Sequence, residues 1–523
     1  MKHALSTLFP SALFCLLCGC ATTSLHDAPP APDQPWAATS DEHGMITPPQ
    51  SQHLHRHKGL ALPPGYRLPT DYTLPHQDTP LNLPPDHSYS LPELVDIAQS
   101  SNPTTRVAWN AARDSALATG LTRAAYLPQL TASVIGGYGY LNTHISNSTM
   151  HGSPRISGEG EVQALSLSWL LFDFGKRSAS ISAAQQNSLA SNILFTGAHQ
   201  KVVYEVTSAY YLTVAIEAHI HLIEQALHNT RAIERAVKAR LLNGQATVID
   251  TARAEQATAQ AELNLVQTRG DLENHYLALM TAMGISPTTR LSLQKEADRA
   301  LTVHDVTLSE KMVQESVARR PDVLAAYAKA RASRSQIQAA RAEFLPKVSL
   351  SGNAAYGVGH LGLSGLGSSP FSANGNGFGG LILGQITMPI FDGGMRQAQL
   401  KRSKDQADSA DAQLRDTRYH SVQSIVSAEN TLHTGVSAYQ AAQKIEHTAQ
   451  TAFDAALASY NTGEGSVTRL LDLQTSLFNA TIMRSDSYYT TLIAAASLAF
   501  ATGSLGDANA VQNSITDPYE ATP

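Results

Sequence analysis

The sequence predicts an α+β membrane protein: a β-barrel made from two pairs of lipid-compatible strands per chain, closed by further copies of the chain and continued by long helices. Three observations predict it. They are an apolar leader that ends in cysteine, an internal duplication offset by 218 to 219 residues, and, in each half, two amphipathic strands followed by an unbroken helical stretch.

The leader comes first in the chain. Met1-Lys2 precedes an apolar stretch from Ala4 to Leu17 that is too short to span a bilayer, so 1–19 reads as a signal peptide. Leu17-Cys18-Gly19-Cys20 then resembles a bacterial lipobox, which makes Cys20 the expected lipid anchor, with Ala21 after it favouring export to the outer membrane. The three cysteines all lie in this leader, so a disulfide framework is excluded.

From Ala21 to about Pro85 the chain is rich in proline and poor in apolar runs, as an extended linker or wrapped strap is. Its His53-Leu-His55-Arg-His57 tract has no cysteine or carboxylate spacing to complete a metal shell. A net charge of -6, with 15% charged and 6% aromatic residues, argues against nucleic-acid binding.

Past the linker, Asn102-Pro103 opens a helical stretch that ends in Ala125-Tyr126-Leu127-Pro128, and Arg320-Pro321 opens one that ends in Glu343-Phe344-Leu345-Pro346. Tyr138 and Tyr356 keep the offset of 218, while Phe172-Asp173 and Phe391-Asp392, Gly244 and Gly463, and Gly284 and Gly503 are 219 apart. So long a period is a duplicated half-domain and not a solenoid. The expected organisation is a signal peptide over 1–19, an acylated linker over 20–88, repeats over 89–302 and 303–506, and a tail over 507–523.

Each Leu-Pro is followed by strand periodicity. Leu130, Ala132, Val134, Tyr138 and Tyr140 alternate with Thr131 and Ser133, and Val348, Leu350, Ala354 and Tyr356 alternate with Ser349, Ser351 and Asn353. The returning strands place Leu165, Leu167, Trp169 and Leu171 opposite Ser166 and Ser168, and Ile382, Ile386, Met388 and Ile390 opposite Gln385 and Thr387. Each strand is expected to run about ten residues, with polar loops over Leu141 to Gly160 and His360 to Gly380. Four strands cannot close a barrel and an open edge cannot exist in lipid, so closure must come from other copies; three copies, with twelve strands, are the simplest assembly with an open lumen.

The helical parts follow. Gly175 to Gly244 and Gly394 to Gly463 each enclose 68 residues without proline and with one glycine, enough for a helix of roughly 100 Å at about 1.5 Å per residue. They are rich in Ala, Ser, Gln and Thr, which suits close helix approach beside a wetted wall.

These residues together resemble the TolC-like outer-membrane factors, in particular their lipoprotein branch. The resemblance runs from about Ser90 to Gly503 and rests on the duplication, the Leu-Pro strand openings, and the Leu171-Phe-Asp-Phe-Gly175 and Ile390-Phe-Asp-Gly-Gly394 strand exits. It implies a homotrimer with a twelve-stranded barrel in the outer membrane and a helical tunnel in the periplasm. The function implied is passive conduction of solutes delivered by an inner-membrane pump through a periplasmic adaptor, with no catalysis, cofactor or metal. Turns that start at Gly244 and Gly463 are the implied adaptor contacts. The aperture implied lies at Asp250, Arg469 and Asp472, where Arg469 departs from the family's paired carboxylates. A duct for type I protein secretion has the same architecture and stays open, as does a tethered coiled-coil lipoprotein with no pore. The chain itself names neither the substrate nor the pump class.

Overall fold

The structure, a computed structural model, describes residues 87–142, 155–287, 289–294, 308–364 and 371–505, with short pieces at 29, 31–33, 39–40, 46–47, 84, 145–146, 151–152 and 301. The expected signal peptide, Cys20, the histidine tract at 53–57 and the tail from 507 lie outside the described residues.

The two halves build the same elements in the same order. The first gives helices α1 (Leu91–Ser101) and α2 (Pro103–Ala124), strands β1 (Gln129–Asn142) and β2 (Arg155–Phe172), and the hairpin of α3 (Lys176–Leu242) and α4 (Val248–Met283). The second gives α5 (Glu310–Arg319), α6 (Pro321–Ala342), β3 (Lys347–Ser364), β4 (Phe371–Thr387), α7 (Met395–Thr462) and α8 (Val467–Ala501). Local chemistry sets the starts and stops. Ser90 and Glu93 form a capping box at the start of α1. Asn102 and Arg320 are held extended by the prolines that follow, and each proline opens the next helix, where its missing N–H costs nothing. With no internal proline, α3 continues for 67 residues and α7 for 68.

Two compact units are present, and each repeat contributes to both. One gathers Ser115–Asn187 and Lys329–Asp411; the other holds the described parts of His26–Asp114, Ser188–Ala328 and Ala412–Pro523.

The first unit centres on a four-stranded sheet in the order β4-β3-β2-β1, antiparallel throughout. Partners across an antiparallel ladder point to the same face, so the register tests the alternation read from sequence. Leu130 pairs with Leu167 and Ala132 with Leu165; Leu165 in turn pairs with Ala354, and Trp169 with Leu350. Tyr356 pairs with Phe378, and Val348 with Ile386. The apolar positions of all four strands therefore share one face. Among the described strands, β1 and β4 are the edges, each with one unpaired side.

The strands are longer than the ten residues expected, at 14, 18, 18 and 17. They run through Arg155 to Gly160, His360 to Ser364 and Phe371 to Gly380, which the Gly, Ser and Asn content had marked as loop. Backbone pairing propagates along a ladder whatever the side chains are, so the polar ends stay extended where the apolar alternation stops. The apolar face consequently acquires two carboxylates toward its loop end, Glu159 opposite His360 and Glu161 opposite Val358. At the other end β4 stops at Thr387, so Met388 and Ile390 lie beyond the strand.

Strand exits and openings meet at a corner that recurs in both repeats. Arg177 donates from Nε to Asp173 Oδ2 at 3.0 Å and from its terminal nitrogens to the carbonyls of Ala125, Leu170 and Leu171. Its guanidinium lies 4.3 Å from the centre of the Tyr126 ring. In the second repeat Arg396 donates to Asp392 at 2.6 Å and to the Pro389 carbonyl, and lies over Phe344 at 5.3 Å. The aromatic before each Leu-Pro is thus the platform for the arginine that follows each Phe-Asp.

The second unit is helical and repeats its packing too. Leu94 and Ala98 of α1 pack with Val202, Val206 and Tyr210 of α3 and Met280 and Met283 of α4. Val313 and Val317 of α5 pack in the same way with Ile425 and Ala428 of α7 and Ala501 of α8. The hairpin of α3 and α4 carries an exposed ladder of ion pairs at heptad steps: Glu224 with Arg269 at 2.9 Å, Arg231 with Glu262 at 2.6 Å, and Lys238 with Glu255 at 2.8 Å. Hydrogen bonds donated to Glu234 and Glu255 hold the Lys238 ammonium well above its usual range.

Candidate functional site

The expected contact turns are the two hairpin turns of the helical unit, and they are closed in the same way. In the first, Gly244 N donates to the Leu241 carbonyl at 2.9 Å and Gln245 N to the Arg240 carbonyl at 2.8 Å. In the second, Gly463 N donates to Tyr460 at 3.2 Å and Glu464 N to Ser459 at 3.1 Å. These bonds satisfy the last carbonyls of α3 and α7, and they require a left-handed residue at the turn. Gly244 has φ 73° and Gly463 has φ 89°, in open space in both cases, so backbone angle and not crowding selects glycine.

Each turn leads into a capped helix. Thr247 caps α4, with its hydroxyl accepting from Asp250 N at 3.1 Å, and Asp250 Oδ2 accepts in return from Thr247 N at 3.0 Å and Oγ1 at 2.7 Å. The backbone bond from Thr247, reinforced by its hydroxyl, holds the Asp250 carboxyl below the usual carboxylate range. At the other turn Ser466 caps α8 and accepts from Arg469 N at 3.3 Å.

Cross-links join the two hairpins near these turns. Arg240 of α3 donates to the Tyr460 carbonyl of α7 at 2.7 Å and lies 4.0 Å from the centre of its ring. Arg253 of α4 donates to Thr468 Oγ1 of α8 at 2.7 Å. Between them Ile233, Val237, Ala254, Phe453, Tyr460, Val467 and Leu470 form a buried core. The first turn remains apolar on its outside, with Leu242 at 88%, Val248 at 74% and Ile249 at 69% exposure.

No ion pair or side-chain hydrogen bond joins the expected aperture residues Asp250, Arg469 and Asp472 to one another among the described residues. Asp250 is held in its capping box on α4, while Arg469 and Asp472 lie three residues apart on α8. The buried face of α8 runs through Val467, Leu470, Leu471 and Gln474, so both Arg469 and Asp472 fall on its exposed side. Neither has an ion-pair partner among the described residues. Sequence reasoning missed Arg240, Arg253, Tyr460 and Thr468, because contacts between hairpins leave no periodicity within either helix. No described helix is long and apolar enough to cross a membrane.

Comparison with known proteins finds this arrangement among outer membrane proteins. The family described as "Outer membrane efflux protein" matches residues 94–285 and 312–504. The chain is similar to Protein CyaE of Bordetella pertussis, 26% identical over 427 residues that cover 81% of this chain and 85% of that protein. It is also similar to the outer membrane protein OprJ of Pseudomonas aeruginosa, 28% identical over 312 residues, or 58% of this chain and 62% of OprJ. Among solved structures, a membrane protein from Pseudomonas aeruginosa aligns with TM-score 0.66 and 26% identity, covering 79% of this chain and 93% of that one.

Proposed function

The chain belongs to the outer membrane efflux protein family, and from that premise we propose that it is the outer-membrane channel of a tripartite efflux system, a homotrimer that passively conducts solutes delivered by an inner-membrane pump through a periplasmic adaptor. One observation carries this reading: a four-stranded antiparallel sheet with its apolar positions on one face and, among the described residues, no partner on the outer side of either edge strand. Such edges are untenable in lipid, and β1 of one copy beside β4 of the next continues the antiparallel order. Repetition of that head-to-tail contact closes a ring. Eight strands leave an interior filled by side chains and twelve leave a lumen, so three copies fit a duct. In this reading the chain catalyses nothing and outer-membrane lipid surrounds its apolar face.

The turns at Gly244 and Gly463 are the adaptor's docking points, supported by the open space at both glycines and the exposed Leu242, Val248 and Ile249 beside the first. Arg469 and Asp472, free of ion pairs among the described residues, form two rings of opposite charge at the tunnel mouth, separated by about 4.5 Å of helix rise. These rings latch the mouth and weaken its cation preference. Asp250 contributes a carboxylate fixed by its cap.

Planar-bilayer recording tests both levels. The purified protein is expected to give discrete conductance steps, and Asp472→Ala to open more often with altered ion selectivity. Failure of the parent to conduct would remove the channel; an unchanged Asp472→Ala would remove only the latch.

A further inference from the structure

Two halves built alike show which surfaces one half covers and the other leaves open. In the second half α6 is packed along α3. Gly197 of α3 faces Pro321, the hydroxyls of Ser182 and Ser335 meet at 3.1 Å, and Lys176 pairs with Glu343, just beyond α6, at 2.7 Å. One helix advances as the other retreats, nearly residue for residue, so the two are antiparallel in a constant register. On that register Ile193 faces Ala325, which it joins in a buried cluster, and Ala179 faces Ala339, both buried.

The matching surface of the first half lies on α2 and is open among the described residues. At the offset of 218, the buried Ala325, Ala332 and Ala339 of α6 become Val107, Asp114 and Leu121. These three are exposed, Val107 and Leu121 at 69% each, and their heptad spacing puts them on one helix face. Trp109, whose Nε1 donates to the Pro29 carbonyl at 2.9 Å, lies on another side of α2. The covering surface of α3 has an open counterpart as well. At the offset of 219, the buried Ala179, Ala190 and Ile193 become Ala398, Ser409 and Ala412 of α7, all exposed.

We propose that this face of α2 seats a second copy of the chain and is filled by that copy's α7, with the partner's Ala412 opposite Val107 and the partner's Ala398 opposite Leu121. The seam forms where β1 of one copy closes on β4 of the next, as the channel reading requires, since α2 leads into β1 and α7 leaves β4 just as α6 leads into β3 and α3 leaves β2. Side-chain sizes match this pairing. Within the chain the large residue, Ile193, is on the helix that leaves the sheet and the small one, Ala325, on the helix that enters it. Between copies the sizes are inverted, with the large Val107 on the entering helix and the small Ala412 on the leaving one. A copy's α3 in the place of α7 would set Ile193 against Val107, two large side chains in the space of one. The first half therefore selects a second half and rejects another first half. Midway along the seam Asp114 lies within a turn of the partner's Arg402 and beside the partner's Asp405, so contact is apolar at the two ends and charged between them.

Disulfide trapping of the full-length protein in its membrane tests the register. Chains with one added cysteine each are co-expressed in pairs, so that a bond between the two variants joins different chains. Val107→Cys with Ala412→Cys, and Leu121→Cys with Ala398→Cys, are expected to link several-fold more than Val107→Cys with Ala398→Cys or Leu121→Cys with Ala412→Cys. In the mismatched pairs fourteen residues, about 21 Å of helix, separate the thiols. Packing gives a second readout in native mass spectra. Ala412→Val alone sets two valines face to face and is expected to lower the share of trimer several-fold, and Val107→Ala added to it restores that share. Trimers in which matched and mismatched pairs link equally, or a loss of trimer that Val107→Ala leaves unrelieved, overturn the seam and spare the channel. Absence of trimers from the parent overturns both.

Discussion

Arg177 and Asp173 are 8% and 4% exposed, and the guanidinium also satisfies three carbonyls where β2 gives way to α3. Removing one member of such a pair strands the other charge in a poorly solvated place, so Arg177→Ala is expected to lower stability by about 3–5 kcal/mol, measured by thermal denaturation. Arg396→Ala, at the more exposed corner of the second repeat, is expected to cost less. A milder loss is expected at the first turn. Thr247→Ala removes the cap of α4 and weakens its opening by about 1 kcal/mol, seen as faster amide exchange over 247–251. Because the Asp250 carboxyl is held below its ordinary 3.8, its share of the cap is present above that value and disappears as pH falls below it. At this scale the sequence was partly legible. The glycines and the paired Phe-Asp motifs stood out by offset alone, but the partner of each arginine lay in a different motif, and no spacing rule joins Arg177 to Tyr126 or Arg240 to Tyr460.

Elements were more legible than contacts, because a helix without proline and a strand with alternating polarity announce themselves locally. The 68-residue intervals matched α3 and α7 to within one residue. Strand ends did not announce themselves, since Gly, Ser and Asn extend β2, β3 and β4 without any change of composition from a loop. The ladder on α3 and α4 makes its own prediction. Its pairs are exposed, so Glu262→Gln alone is expected to cost no more than about 1 kcal/mol. Neutralising Glu224, Glu255 and Glu262 together should lower the melting temperature in low salt and leave a smaller difference in high salt. Equal losses at both salt concentrations would mean that packing, and not charge, holds this seam. At the turns, Gly244→Ala places a side chain at φ 73° and is expected to cost about 1–2 kcal/mol of local strain even though the space is open.

At the scale of the whole molecule, the duplication explains why one chain supplies four strands and no closed surface. Two similar halves pair through β2 and β3, and among the described residues the outermost strand of each half has one unpaired side. Sequence alternation revealed the apolar face of each strand; that the faces coincide is a property of register, which periodicity alone does not give. Closure of the surface requires sheets that are completed by copies of the same chain. Its most direct test is the mass of the protein extracted from membranes in mild detergent, by native mass spectrometry before and after heating. Three chains per particle with sheet intact, falling to single chains when heat removes the sheet, is the predicted result. A stable single chain that keeps its sheet would contradict it.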